Sequence, residues 1–256
     1  MPPVLGSRRR REEIVRLAET TGLASVTDLA ERFRVSASTI RRDLARLEAT
    51  GRLTRTYGGA MAAPHRAEPP LQQRIGEAFA EKVAIARWAA AQIEPGDSLA
   101  LDAGSTVAAL AHQLRDHTGL TVATASLTVL SELAGADGLT VHCLGGTMRA
   151  VSQALVGPIA ENALERMSFD RAFLAADSVD AERGICEADL AQTRLKELMA
   201  QRSARVYVLA HAAKLGRRPF HAWTRLSPGW TLVTTGTDPQ VAPFTEKGIR
   251  VVTVPV

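Results

Sequence analysis

The sequence predicts an α/β protein in two parts: a small helical head closed by a hairpin, then a larger domain built on a mainly parallel sheet. Three observations predict it. Apolar residues repeat at helical spacing through residues 8–60, then alternate between strand and helix patterns from residue 71 onward. The stretch between, AMAAPHRAEPP, has three prolines and no period. Charge also divides: residues 1–66 hold 13 basic and 7 acidic side chains, the remainder 18 and 20. The expected organisation is a head at 8–60, a linker at 61–70 and a body at 71–256.

In the head, Ile14, Leu17, Ala18 and Thr21 mark a first helix that Gly22 closes. Ser25 or Thr27 caps a second, whose stripe is Val26, Leu29, Ala30 and Phe33. Arg34-Val35 make a short turn, and the Ser36 hydroxyl is placed to cap a third helix that runs to about Ala49 and stops at Gly51. Leu53 to Tyr57 alternate like a strand, and Gly58-Gly59 permit a tight turn. In the body, strands are expected at 98–101, 120–124, 139–144, 171–175, 205–210, 231–235 and 249–254. Helices at 107–114, 127–134, 159–166 and 190–201 lie between them, a Rossmann-like alternation of βαβ units.

Composition excludes several classes. A chain of 256 residues, 46% hydrophobic, buries roughly 70–75% of its unfolded surface and needs no staple. Cys143 and Cys186 lack the spacing of a disulfide framework or zinc site, and His112 and His117 lack a third ligand. Cys143 is expected in the core, Cys186 is a weak redox candidate, and Trp88, Trp223 and Trp230 are read as core or interface. No apolar run approaches the roughly 20 residues of a membrane helix. The start, MPPVLGSRRRREE, carries no apolar region of a signal peptide. A cytoplasmic protein without membrane contact, metal or cofactor is expected.

The third helix carries the functional argument. Advancing about 100° per residue from Ile40 puts Leu44 near 40° and Leu47 near 340°, a buried stripe. Ser38 and Arg42 fall on the opposite side, with Thr39, Arg41 and Arg46 flanking them. Such a face of hydroxyls and guanidinium groups suits the major groove, where Arg pairs with guanine O6 and N7. Arg52 and Arg55 on the following hairpin extend the cationic surface as a wing. A basic head on a faintly acidic body fits a double-stranded DNA partner, such as an operator, in the nucleoid.

The run VSASTIRRDLARLEATGRLTRTYGGAM, Val35 to Met61, closely resembles the winged helix-turn-helix signature of the DeoR family of transcription regulators. The resemblance rests on the V-S-x-x-T-I-R-R-D-L core, the L-E-x-x-G turn and the R-x-x-G-G after the wing. It implies that Ser36, Ser38, Thr39, Arg41 and Arg42 face DNA.

In the body, three loops follow apolar strands: Asp102 to Thr106, Thr124-Ala125-Ser126 and Leu144-Gly145-Gly146. Loops at the carboxyl ends of parallel strands converge on one crevice. Ser105 and Thr106, at a helix N-terminus beside Gly104, suit a phosphate. The segments EKVAIARWAA, LDAGST, TAS, LGG, LVGPIAENAL, FLAADSVDAERGI and AAKLG resemble the DeoR sensor domain, whose fold is related to ribose-5-phosphate isomerases. That resemblance implies that Asp102, Gly104, Ser105, Thr106, Thr124, Ser126, Gly145, Gly146, Asp177, Arg183 and Lys214 line a site for a phosphorylated sugar or related anionic metabolite. Lys82 is a further candidate, or else a solvated lysine on an Ala-rich helix. The chain departs from the family pattern at Ala125, Ala175 and His211, where an Asn, a Gly and an Asp are usual.

The reading is a sugar-responsive repressor, without catalytic residues, that works as a homo-oligomer. An isomerase-like enzyme with an accessory DNA-binding head and a ligand-independent DNA binder are the alternatives.

Overall fold

A computed structural model of the chain describes residues 6–21, 24–49, 53–56, 59–62 and 68–256. They fall into two units, Met1–Ala67 and Glu68–Val256. The first contains α1 (Ser7–Thr21), a two-residue β1 (Ala24–Ser25), α2 (Val26–Phe33), α3 (Ala37–Ala49), β2 (Leu53–Thr56) and β3 (Gly59–Ala62). Its core is the meeting of the helical stripes. Ile14 and Val15 of α1, Leu29 and Phe33 of α2, and Ile40, Leu44 and Leu47 of α3 are buried together. The Ser25 hydroxyl caps α2 by accepting from the Asp28 N–H at 3.0 Å. Arg34 ends α2 at φ 51°, and its N–H donates to the Ala30 and Glu31 carbonyls. The hairpin β2–β3 gains a third strand, because β3 also pairs with β1 through Ala24↔Ala60.

The second unit runs α4 (Leu71–Gly76), α5 (Phe79–Ala90), β4 (Ser98–Leu101), α6 (Ser105–Gln113), β5 (Leu120–Thr124), α7 (Leu127–Leu133) and β6 (Leu139–Cys143). A hairpin follows, β7 (Thr147–Arg149) and β8 (Ala154–Val156), then α8 (Pro158–Leu164) and β9 (Phe169–Ala175). Next come β10 (Ser178–Asp180), β11 (Gly184–Glu187), α9 (Leu190–Gln201), β12 (Ser203–Leu209), a 3-10 turn at Ala212–Lys214 and β13 (Ala222–Thr224). The unit ends with β14 (Thr231–Thr234), α10 (Asp238–Glu246) and β15 (Arg250–Thr253).

Seven strands form one parallel sheet in the order β15-β14-β12-β9-β4-β5-β6. Alternate residues feed two cores. Leu99, Leu101, Phe173 and Leu209 pack with α5, α6 and α7, whereas Ala100, Ala172, Leu174 and Val208 pack with α8, α9 and α10. From β4 the chain builds outward to β5 and β6, then returns to the other side of β4 with β9. The strand order therefore reverses between β4 and β9, which opens a crevice at their carboxyl ends. Two small antiparallel sheets, β7–β8 and β10-β11-β13, sit on this frame.

The structure corrects two expectations. The linker read at 61–70 loses both ends: β3 takes residues up to Ala62, and ion pairs tie Glu68 to Arg74 and Arg149 in the second unit. Residues 63–67 lie outside those described. Cys143 is exposed, because β6 is the sheet's edge strand and that side lacks a covering layer. Cys186 is buried. Trp230 lies in the core and Trp88 packs edge-on against Tyr207. Among the described residues no cluster of His, Cys, Asp and Glu is arranged for a metal, and no helix is long and apolar enough to cross a membrane.

Candidate functional site

In the first unit, the face of α3 opposite Ile40, Leu44 and Leu47 is open. Ser36, Ser38, Arg41, Arg42 and Arg46 are exposed and Thr39 half-buried. The Ser36 hydroxyl accepts from the Thr39 N–H at 3.2 Å and lies 2.8 Å and 2.9 Å from the Ser38 and Thr39 hydroxyl oxygens. It satisfies one of the helix's orphan donors while binding three hydroxyls into one cluster. Arg42 Nε reaches the Ser38 carbonyl at 3.4 Å. The helix is held from behind by Asp43, whose buried carboxylate accepts from Arg10 Nε at 2.7 Å and Arg11 Nη1 at 3.2 Å. Asp43 escaped the sequence reading, although a lone acid among Arg and Leu on a helix is a signal. Arg52 and the Arg55 side chain lie outside the described residues.

In the second unit the crevice is built at the switch point. Asp102 follows β4 and its Oδ2 accepts from the Ala175 N–H at 2.9 Å, pinning the end of β9. The same carboxylate takes the Lys196 ammonium, which also donates to the Ala175 carbonyl at 2.9 Å and pairs with Glu187 at 3.2 Å. Lys196 is fully buried. Burial opposes its charge, but Asp102 and Glu187 outweigh it and hold its pKa above the ordinary lysine value. Burial, opposed by Lys196, pushes Glu187 well above the carboxylate range. Gly104 must be glycine: a Cβ there would lie 2.5 Å from the Ala175 methyl. Ala175 thus closes over the loop that starts α6, where Ser105 is half-buried and Thr106 buried.

The chain has four lysines, and Lys82, Lys196 and Lys214 gather here. Lys82 is buried and donates to the Arg74 carbonyl, so the solvated reading is overturned. Burial and then the neighbouring Lys214 lower its pKa to about 8. Lys214 donates to the Ala176 carbonyl, and burial lowers its pKa too. Burial, Lys214 and Lys82 together press His211 down to about 4, so its imidazole is neutral at pH 7. Asp177 Oδ1 accepts from Arg74 Nη1 at 3.0 Å. Arg74 Nη2 in turn donates to Glu68 at 2.9 Å, and Arg149 stands 2.5 Å from the other Glu68 oxygen. Burial, then Asp177, raises the Glu68 pKa. The sequence reading missed Glu68, Arg74, Arg149, Glu187 and Lys196.

Other expected site residues are engaged elsewhere. Thr124 and Ser126 are fully buried, and their hydroxyls accept from the Ser126 and Val129 N–H groups at the start of α7. Ala125 packs in the core. Gly146 is required by the hairpin, since a Cβ would sit 2.6 Å from the Val156 carbonyl, and Gly145 packs close to Ile159. Arg183 is exposed at the tip of β10–β11, with its guanidinium 5.5 Å from the Trp223 ring centroid.

Residues 77–235 match the family model of the DeoR C-terminal sensor domain, and residues 10–65 that of the DeoR-like helix-turn-helix domain. The chain belongs to the DeoR family of transcription regulators. It is 34% identical over 221 residues to a putative aga operon transcriptional repressor of Escherichia coli O157:H7, covering 85% of this chain and 82% of the relative. It is 36% identical over 230 residues to the HTH-type transcriptional regulator GlpR of Haloferax volcanii, covering 89% of each. It is 30% identical over 209 residues to the glycerol-3-phosphate regulon repressor of Escherichia coli K12, covering 82% of this chain and 83% of the relative. In this DeoR-family chain, α3 belongs to the helix-turn-helix match and the crevice to the sensor match.

Proposed function

We propose that the chain represses genes of carbohydrate metabolism by holding an operator duplex with α3, and that a phosphorylated sugar or related anionic metabolite releases it. The observation that carries the DNA half is the exposed Ser36–Ser38–Arg42 face set opposite a fully apolar stripe on one helix. The sugar half is supported by relatives named for an aga operon, a lactose phosphotransferase system and a glycerol-3-phosphate regulon. It is also supported by the crevice chemistry. Lys82, Lys214 and the first N–H groups of α6 offer donors to an oxyanion, and neutral His211 adds no repulsion.

The chain acts in the cytoplasm, as a homo-oligomer, and is not an enzyme. Isomerisation needs a base beside the substrate carbons. Glu187 has the raised pKa of such a base, but it is buried and committed to Lys196. An effector shifts operator affinity only if it binds the free and DNA-bound forms unequally, and a coupling of about 1–3 kcal/mol suffices.

The test is footprinting of the chain on DNA flanking its own gene while pentose, hexose and polyol phosphates are titrated. The expected result is a protected site that one of these compounds clears. Lys214→Ala is expected to keep the footprint and lose the clearing. A footprint that every compound leaves intact supports the ligand-independent binder instead.

A further inference from the structure

Buried polar atoms almost always find partners, and each one left without a partner costs about 1–3 kcal/mol. Among the described residues, five buried side-chain atoms have no hydrogen-bond partner: Glu68 Oε2, Arg74 Nε, Arg149 Nη1, Ser152 Oγ and Asp177 Oδ2. All five belong to one cluster. Arg74 bridges Asp177 and Glu68, Arg149 faces Glu68, and Ser152 lies in the turn between Arg149 and β8. That turn is tied to the same segment, because the Leu71 N–H donates to the Val151 carbonyl at 2.9 Å. Glu68, Ser152 and Asp177 have side chains more than nine-tenths buried.

The chemistry of the cluster restricts what fits. Two guanidinium groups offset two carboxylates, so the cluster is neutral and gives a net ion no advantage. Its unused atoms alternate in kind: Arg74 and Arg149 donate, Glu68 and Asp177 accept, and the Ser152 hydroxyl does either. A group that both donates and accepts at successive positions satisfies them, and adjacent hydroxyls do this. The cationic side, Lys82 and Lys214, lies across Asp177 and Arg74.

We infer that Glu68, Arg74, Arg149, Ser152 and Asp177 form a subsite for the hydroxyl-bearing part of a polyhydroxylated phosphate ester. This rests on the proposed sensing of a phosphorylated metabolite at the crevice and specifies how that site tells one from another. Glu68 is the first residue of the second unit, so the chain enters the subsite directly after leaving the first. A ligand that takes hydrogen bonds from Glu68 and Arg74 thereby acts on the segment that joins the two units.

The experiment is calorimetry on the full chain with pentose, hexose and polyol phosphates, and methyl phosphate as the hydroxyl-free probe. At least one hydroxylated phosphate is expected to bind about tenfold or more tightly than methyl phosphate, the equivalent of one or two good hydrogen bonds. Ser152→Ala and Glu68→Gln are each expected to cut that preference by about tenfold, without changing methyl phosphate binding. Ser152→Ala is also expected to raise the melting temperature of the ligand-free chain, since it deletes a buried hydroxyl without a partner. A purely structural serine would give the opposite sign. If methyl phosphate binds and no hydroxylated phosphate does better, or both variants keep the preference, the subsite is overturned while the crevice stands. If neither methyl phosphate nor any sugar phosphate binds, the sensing reading fails and the subsite with it.

Discussion

Removing Lys196 leaves Asp102 and Glu187 buried without the cation they share. Lys196→Met is therefore expected to destabilise the second unit by about 3–5 kcal/mol, read as a lowered urea midpoint. Adding Asp102→Asn and Glu187→Gln is expected to recover most of that loss, because no uncompensated charge remains. A midpoint unchanged by Lys196→Met would refute the assignment. His211 makes a different prediction, in pH. Its folded pKa of about 4 lies below its ordinary 6.5, so the unfolded chain takes up a proton that the folded chain refuses. The stability it contributes is present above pH 6.5 and is lost as pH falls through 4. His211→Asn is expected to flatten the stability profile between those limits, measured by denaturation at pH 4, 5, 6 and 7.

α3 is read by one substitution. Arg42→Ala is expected to weaken operator binding by about 1–3 kcal/mol and relax one base position, if the guanidinium takes a guanine edge. Unchanged affinity and sequence preference in a footprint would remove α3 from the groove. This helix was legible in the sequence because everything that shapes it is local: the Ser36 cap, the stripe of Ile40, Leu44 and Leu47, and the charged face opposite. The central strands were legible for a similar reason, as short apolar runs between helical patterns. β1, at two residues, is too short to show a period. The role of α4 was not legible either. Arg74 meets Asp177 across 103 residues of chain, and only the return of β9 to the side of β4 brings them together. Thr124 and Ser126 misled for the converse reason, since a small polar residue after a strand serves a helix cap as readily as a ligand.

At the scale of the whole molecule, charge and apolar surface are divided between the units. Residues 1–66 carry a net excess of six basic side chains, whereas the rest of the chain is close to neutral. Counterion release from the duplex then makes operator affinity fall steeply with salt. One recognition helix touches few base pairs, and a second head on a half-site about 34–36 Å away multiplies affinity through effective concentration. Pairing requires a contact outside the cationic heads, which repel one another. The second unit leaves Phe79, Ile159 and Leu190 each about two-thirds or more exposed, which is costly in water and suits an apolar interface. The chain is therefore expected to run as a dimer or larger in light scattering at micromolar concentration. Its mass is expected to hold as salt rises while operator affinity drops, because apolar contacts are not screened. Phe79→Glu or Leu190→Glu is expected to lower the mass and weaken operator binding together. A monomer at every salt concentration, with and without DNA, would mean that single heads suffice.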